Sequence, residues 1–442
     1  MFLVWLCPLR PVGHASSHWA SRASCTAATA SDYSHEVGLK FTLEDSGRLG
    51  PWWQPATWWR VGREKVRAAR EPRSEAGWAW HAVHSEGSIL FAEASAHGNG
   101  VVRVTQHGPW RCLKCDEVEQ GISYTSADGT PMPEVIGYQY VRVMVAAALG
   151  FVVLAAGERG SGEVGTGAWC GNENRVVCVG LGTGALPGYL AHHCASLRVE
   201  VAEIDPVVVS AAQRLTCGSF SVGPRLSDGV EAAVAVAGGG GFNVAVCDAA
   251  EYLGGGGEAA AKESLDAIFL DAYDGEGNTP PHLTEAAFLR ACGDALAPGG
   301  VLVCNCFNGA RRSEARAEFA RVAAALGACV GPVYSVPVAT QEESVVLVAR
   351  RAAAGLGPPG TRDLSAAARS AARAAGMRLD AARLVRRMLW VETVDAETVV
   401  ERVPPRSTNG GRGTRLPLER TLPLREGSSA CERLRWTSSD DA

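Results

Sequence analysis

The chain has 442 residues, 47% hydrophobic and 20% charged, with a net charge of −5. That length and apolar content allow one large domain with extensions or two to three smaller domains with a sizeable core. An isoelectric point near 6.1 leaves no electrostatic footprint for nucleic acid, so no such partner is expected.

Residues 1–30 contain no acidic residue and are rich in serine and alanine with scattered arginine. The apolar opening is short and lacks a basic lead, which reads as an organellar transit peptide over residues 1–35, with a chloroplast as one destination. A disordered extension on a cytoplasmic protein is the alternative. Residues 36–130 alternate polar and apolar positions. Within them SILFAEASAHGNGVVRVTQHGPWRCLKC (88–115) reads as successive short strands turning at Gly98-Asn99-Gly100, a small β-rich subdomain. Cys112 and Cys115 form a CxxC with no second pair at zinc spacing, so no metal is expected. Cys178, Cys304 and Cys306 lie in apolar runs and read as buried free thiols of a reducing compartment.

Residues 138–149 read as a helix. The apolar run 143–157 contains two glycines and falls short of the ~18 residues of a spanning helix, so a buried helix and strand, and no membrane, are expected. From Arg175 apolar strand runs alternate with helical periods, the pattern of a parallel α/β sheet. VVCVG (176–180), VEVAEID (199–205), FNVAVCD (242–248), LDAIFLD (265–271) and GVLVCNCF (300–307) are five successive strands. VYSVPV and SVVLVAR close the series as an antiparallel hairpin at the sheet edge. The resulting fold class is α/β, a doubly wound, mostly parallel seven-stranded sheet over residues 131–352. Glycine patches at 238–241 and 254–257 read as surface insertions. Residues 353–403 read as a solvated helical appendage with one helix over 364–389, and 404–442 as a disordered tail.

The chemistry concentrates where these strands end. In GLGTGA, Gly180, Gly182 and Gly184 permit a sharp turn and close approach of a ligand to the backbone. The helix that follows offers unpaired N–H groups to a carboxylate or phosphate. The turn alone suits a dinucleotide and S-adenosylmethionine equally. Glu203, at the end of the next strand, suits the two ribose hydroxyls of either cofactor, and Asp205, before Pro206, reads as a helix cap. Asp248 is placed beside the adenine, with Asp228 as a competitor. Asp271 ends the fourth strand and Asp274 follows before a Gly/Pro-rich loop. Both acids should face the pocket, where a carboxylate can orient and deprotonate an amine; the alternative is two acids ordering a turn. The Pro-Gly turn of LAPGGVLVCN is not explained by a dinucleotide domain.

Taken in order, GLGTGALP, VEVAEIDP, VCDAAEYL, DAIFLDAYDG and LAPGGVLVCN resemble the spermidine synthase-like superfamily of class I S-adenosylmethionine-dependent transferases, over roughly residues 88–350. CDEVEQGISY resembles the end of that superfamily's small N-terminal β-domain. The resemblance implies that Gln120 approaches the cofactor and that Tyr138, Gln139 and Tyr273 line the substrate side. It also implies an amine-bearing small molecule or protein as acceptor, and a homodimer by analogy. The superfamily holds polyamine aminopropyltransferases, which use decarboxylated S-adenosylmethionine, and methyltransferases, including the eukaryotic enzyme that methylates elongation factor 1A. Polyamine synthases usually carry aspartate where this chain has Thr183. That acid favours the aminopropyl ammonium and repels the carboxylate of intact S-adenosylmethionine. Thr183, and the missing acidic run after Gln120, tilt the expectation toward methyl transfer. Asp271 and Asp274, which match acids holding the polyamine amine, keep aminopropyl transfer as the alternative. A non-catalytic scaffold is a third reading.

Overall fold

The computed structural model describes residues 87–158, 169, 174–218, 220–223, 241–254, 263–307, 313–338, 344–352, 359–395, 398–402 and 419–422. The expected transit segment, the competing Asp228 and most of both glycine patches lie outside them.

Four strands, β1 (Ser88–Ala94), β2 (Val101–His107), β3 (Trp110–Cys115) and β4 (Val118–Tyr124), form an antiparallel meander. Its first turn uses Gly98 and Gly100, both at positive φ. Cys112 and Cys115 are buried in two different hydrophobic clusters of this region.

The large sheet contains β5 (Arg175–Val179), β6 (Arg198–Glu203), β8 (Phe242–Val246), β9 (Leu265–Leu270), β10 (Leu296–Phe307), β11 (Val333–Pro337) and β12 (Ser344–Arg350) in the spatial order β8-β6-β5-β9-β10-β12-β11. Only β12 runs against its neighbours within this set, so the expected seven strands are present and mostly parallel. Strand order reverses between β5 and β9, and ligands of open α/β sheets bind outside the carboxyl ends at such a switch point. Apolar runs on the inner strands are buried on both faces, as central parallel strands require. One face is covered by α1 (Gln139–Glu158), α2 (Ala185–His193) and α3 (Pro206–Ala211). The other packs α4 (Ala249–Gly254), α5 (Ala286–Ala295) and α6 (Ser313–Cys329).

Three expectations change. α1 is a single helix of 20 residues, not a helix and a strand. Its apolar positions run all round the helix, so it is stable only when buried. It is the one helix among the described residues long and apolar enough to cross a membrane, and 78% of that window is buried inside the protein. Residues 359–395 are not a solvated appendage. They form α7 (Thr361–Ala374), α8 (Ala381–Val385) and β13 (Leu389–Asp395). Leu364, Ala367, Ala368, Ala371 and Ala372 make a buried stripe on α7, and it lies close against α1, where a Cβ on Gly150 would stand 2.9 Å from Leu364 Cδ1. The helix stops at Gly376, at φ 65, and Asp380 caps α8. Finally, the β11–β12 hairpin is not the edge: β13 pairs with β11, followed by β14 (Thr398–Arg402) and β15 (Glu419–Leu422). With the two-residue β7 (Ser221–Val222) beyond β8, the sheet has 11 strands among the described residues. β15 falls within the tail expected to be disordered.

Candidate functional site

The turn after β5 is built from backbone. Gly180, Gly182 and Gly184 all have positive φ, at 92°, 51° and 74°. A side chain is excluded sterically as well: a Cβ on Gly180 would lie 2.5 Å from the Asp271 carbonyl oxygen, and one on Gly182 2.7 Å from that of Gln120. Gly184 is the N-cap of α2 and supplies no side-chain cap, so the first-turn N–H groups stay available to an anion. Glu203, at the end of β6, holds this loop. Its Oε2 accepts from Leu181 N at 2.8 Å and its Oε1 from Asp205 N at 2.9 Å. Burial pushes the carboxyl upward, while these backbone donors pull it back. Asp205 is the helix cap expected of it: Oδ1 accepts from Val207 N at 2.8 Å. Its Oδ2 accepts from Ser95 Oγ at 2.5 Å and so ties the N-terminal sheet to the α/β domain.

Asp248 lies just beyond β8. Its Oδ1 accepts from Ala250 N at 2.7 Å, and its Oδ2 is 3.2 Å from His282 Nε2. Thr183 is buried, and its hydroxyl donates to the Ile122 carbonyl of β4 at 3.1 Å. This side chain therefore joins the two sheets.

Asp271 stands across the switch point. Asn305 Nδ2 donates to its Oδ1 at 3.0 Å, and the Tyr140 hydroxyl makes a second hydrogen bond. Burial raises its carboxyl to about 6, against the pull of those two donors. Asp274 plays another part. Its Oδ1 accepts from Glu276 N at 2.9 Å and Asn278 N at 2.8 Å, ordering the turn. Its carbonyl accepts from Gln120 Nε2 at 3.2 Å. Of the two acids, Asp274 is the turn-former and only Asp271 borders the cleft.

Residues lining that cleft include Gln120, Tyr138, Tyr140, Gly180, Gly182, Thr183 and Asp271. Tyr138 stacks on Tyr140 with centroids 5.5 Å apart, and its buried hydroxyl has no partner among the described residues. Gln139, Gly184, Glu203, Asp248 and Tyr273 do not line it. Tyr273 donates to the Asn305 carbonyl at 3.0 Å and packs on Phe307, so it supports the residue that holds Asp271. Sequence reasoning missed Tyr140, Asn305, His282 and Glu119. Glu119 sits where β4 bulges against β3; its Oε1 is buried without a partner and burial raises its carboxyl to about 8. Asn305 closes LAPGGVLVCN, a signal that was present without a role. Tyr140 gave none beyond its place at a helix start.

The chain is similar to known proteins. The chain is 27% identical over 223 residues to a polyamine aminopropyltransferase of Vibrio vulnificus, a match covering 50% of this chain and 60% of the relative. Less than two thirds of that relative is spanned. Among solved structures, a probable spermidine synthase from Corynebacterium glutamicum aligns with a TM-score of 0.45 at 17% identity, covering 65% of this chain and 87% of the other. Human methyltransferase-like protein 13 in complex with SAH aligns with a TM-score of 0.41 at 21% identity, covering 54% and 93%. No protein-family model matches the chain.

Proposed function

We propose that this spermidine synthase-like chain is a transferase that moves an alkyl group from an S-adenosylmethionine-type donor to an amine. One observation carries the reading: a single cleft joins the glycine turn to the raised carboxyl of Asp271. The residues fit such a donor. The glycine turn leaves room for its chain, the N-terminus of α2 has no side-chain cap to compete with the donor's carboxylate, and Glu203 at the adjacent strand end is the acid that would take the ribose.

The donor supplies a carbon bound to sulfonium sulfur; as the acceptor nitrogen bonds to that carbon, the carbon–sulfur bond breaks and its electron pair stays on sulfur. Asp271 orients the amine and takes its proton, and a base that titrates near 6 is ionised at neutral pH yet retains basicity. Asn305 and Tyr140 fix the carboxylate in place. Asp274 acts by ordering the loop that Gln120 grips.

The group transferred is methyl in the first reading, because the glycine turn carries no acid to meet an aminopropyl ammonium. Aminopropyl transfer is the second reading, favoured by the name of the Vibrio relative. Calorimetry with intact and decarboxylated S-adenosylmethionine separates them. Preference for the intact donor is expected; binding of the decarboxylated form alone refutes methyl transfer, and binding of neither refutes the transferase.

The acceptor class, an amine-bearing small molecule or a protein, a homodimeric assembly and an organellar address remain part of this proposal.

A further inference from the structure

The face of α7 opposite its buried stripe presents Arg362 and Arg369, and Arg386 lies just past α8. With Thr361 and Ser365, these three arginines line one surface cavity of about 420 Å³. Among the described residues no carboxylate pairs with any of the three guanidinium groups. Asp380, the acid nearest α8 in sequence, accepts instead from the backbone N–H of Arg383. Gly360, the N-cap of α7, offers no side chain to that helix's first turn. Two hydroxyl-bearing residues and three arginines without a carboxylate partner among the described residues therefore line one concavity, with Asp363 the acid in the same first turn.

Planar guanidinium groups match phosphate oxygens in bidentate fashion. Arg362 and Arg369 are two helical turns apart, about 10 Å along the axis. One phosphate would have to be shared between the two guanidinium groups. A chain of phosphates spans them, and its repeated charge answers three cations at once. We propose that this cavity binds a linear polyphosphate, either inorganic or as the polyphosphate end of a nucleotide. The site is separate from the cleft and does not depend on the transferase reading.

Isothermal titration of the full chain with inorganic tripolyphosphate tests the assignment. Saturable one-to-one binding is expected, well above the affinity for inorganic monophosphate, because the longer ion carries more charge and gives each guanidinium group its own phosphate oxygens. Arg369→Gln and Arg386→Gln should each weaken it by about tenfold or more, the scale of one lost charge-assisted hydrogen bond. ATP binding as tripolyphosphate does supports recognition of phosphates alone, and tighter ATP binding supports a nucleotide. Three outcomes overturn the proposal: no binding of tripolyphosphate, equal binding of mono- and tripolyphosphate, or binding untouched by both substitutions. Binding of polyglutamate with none of tripolyphosphate overturns it in favour of an acidic peptide. The wild-type comparison of mono- with tripolyphosphate keeps the test decisive even if a variant fails to fold.

Discussion

The two walls of the cleft are made of different material. On one side the glycine turn presents backbone, with its φ values and its lack of Cβ atoms doing the shaping. On the other side Asp271, just past β9, and Tyr140 of α1 present side chains, and Asn305 of β10 holds the carboxylate; the three come from segments far apart in the chain. The backbone wall is set by local conformation, so its failure should appear as lost stability and lost donor binding together. The side-chain wall is set by packing between elements, so its failure should appear in chemistry while the fold and donor binding survive.

The largest expected effect tests that separation on the side-chain wall. Asp271→Asn keeps the shape and removes the proposed base, and kcat with an amine acceptor should fall by about 10²–10⁴-fold. Donor affinity measured by calorimetry should stay nearly unchanged; a parallel loss of binding would erase the distinction between the walls. Next in size is the backbone wall. Gly182→Ala demands a left-handed conformation from a residue with a Cβ and drives that atom toward the Gln120 carbonyl. Denaturant unfolding should show a loss of about 1–3 kcal/mol, with weaker donor binding alongside.

A subtler change sharpens the side-chain wall. Tyr140→Phe removes a hydrogen bond that favours ionised Asp271, so the acid limb of the kcat profile should move from near pH 6 to higher pH. Linkage gives a matching sign in stability. Asp271 titrates higher in the folded chain than in the unfolded one, so its contribution is fully present below the usual aspartate range. It is lost as pH rises through about 6. Asp271→Asn should flatten that part of a stability–pH curve. The smallest effect belongs to the Asp248–His282 pair, which is partly exposed. His282→Ala should change thermal stability by no more than about 1 kcal/mol. A larger loss would mean that the end of β8, too, depends on side-chain packing.

How much was legible follows the same division. GLGTGA and the acid ending VEVAEID were readable because both are short and local: a strand, a glycine turn, and a carboxylate at the adjacent strand end. The cap role of Asp205 was readable from Pro206 alone. Asp271 was found, but not separated from Asp274, because both reside in one loop and only the fold shows that Asp274 Oδ1 closes on Glu276 and Asn278. Thr183 was read for its effect on donor charge. Its hydroxyl in fact donates to Ile122, so packing between the sheets is a second reason for the residue there. The helix of residues 361–374 carried a clear amphipathic stripe, and its burial was missed because its partner, α1, lies some 200 residues earlier in the chain.

By itself, then, the sequence determined strand order along the chain, the glycine turn and which carboxylates end which strands. These depend on periodicity, φ and the presence or absence of a Cβ, all properties of neighbouring residues. Only the tertiary structure decided which acid faces the cleft, that Tyr140 and Asn305 hold it, and that α7 closes one face of the core. Those outcomes depend on contacts across long loops, where burial and hydrogen-bond geometry choose among residues that look alike in the chain.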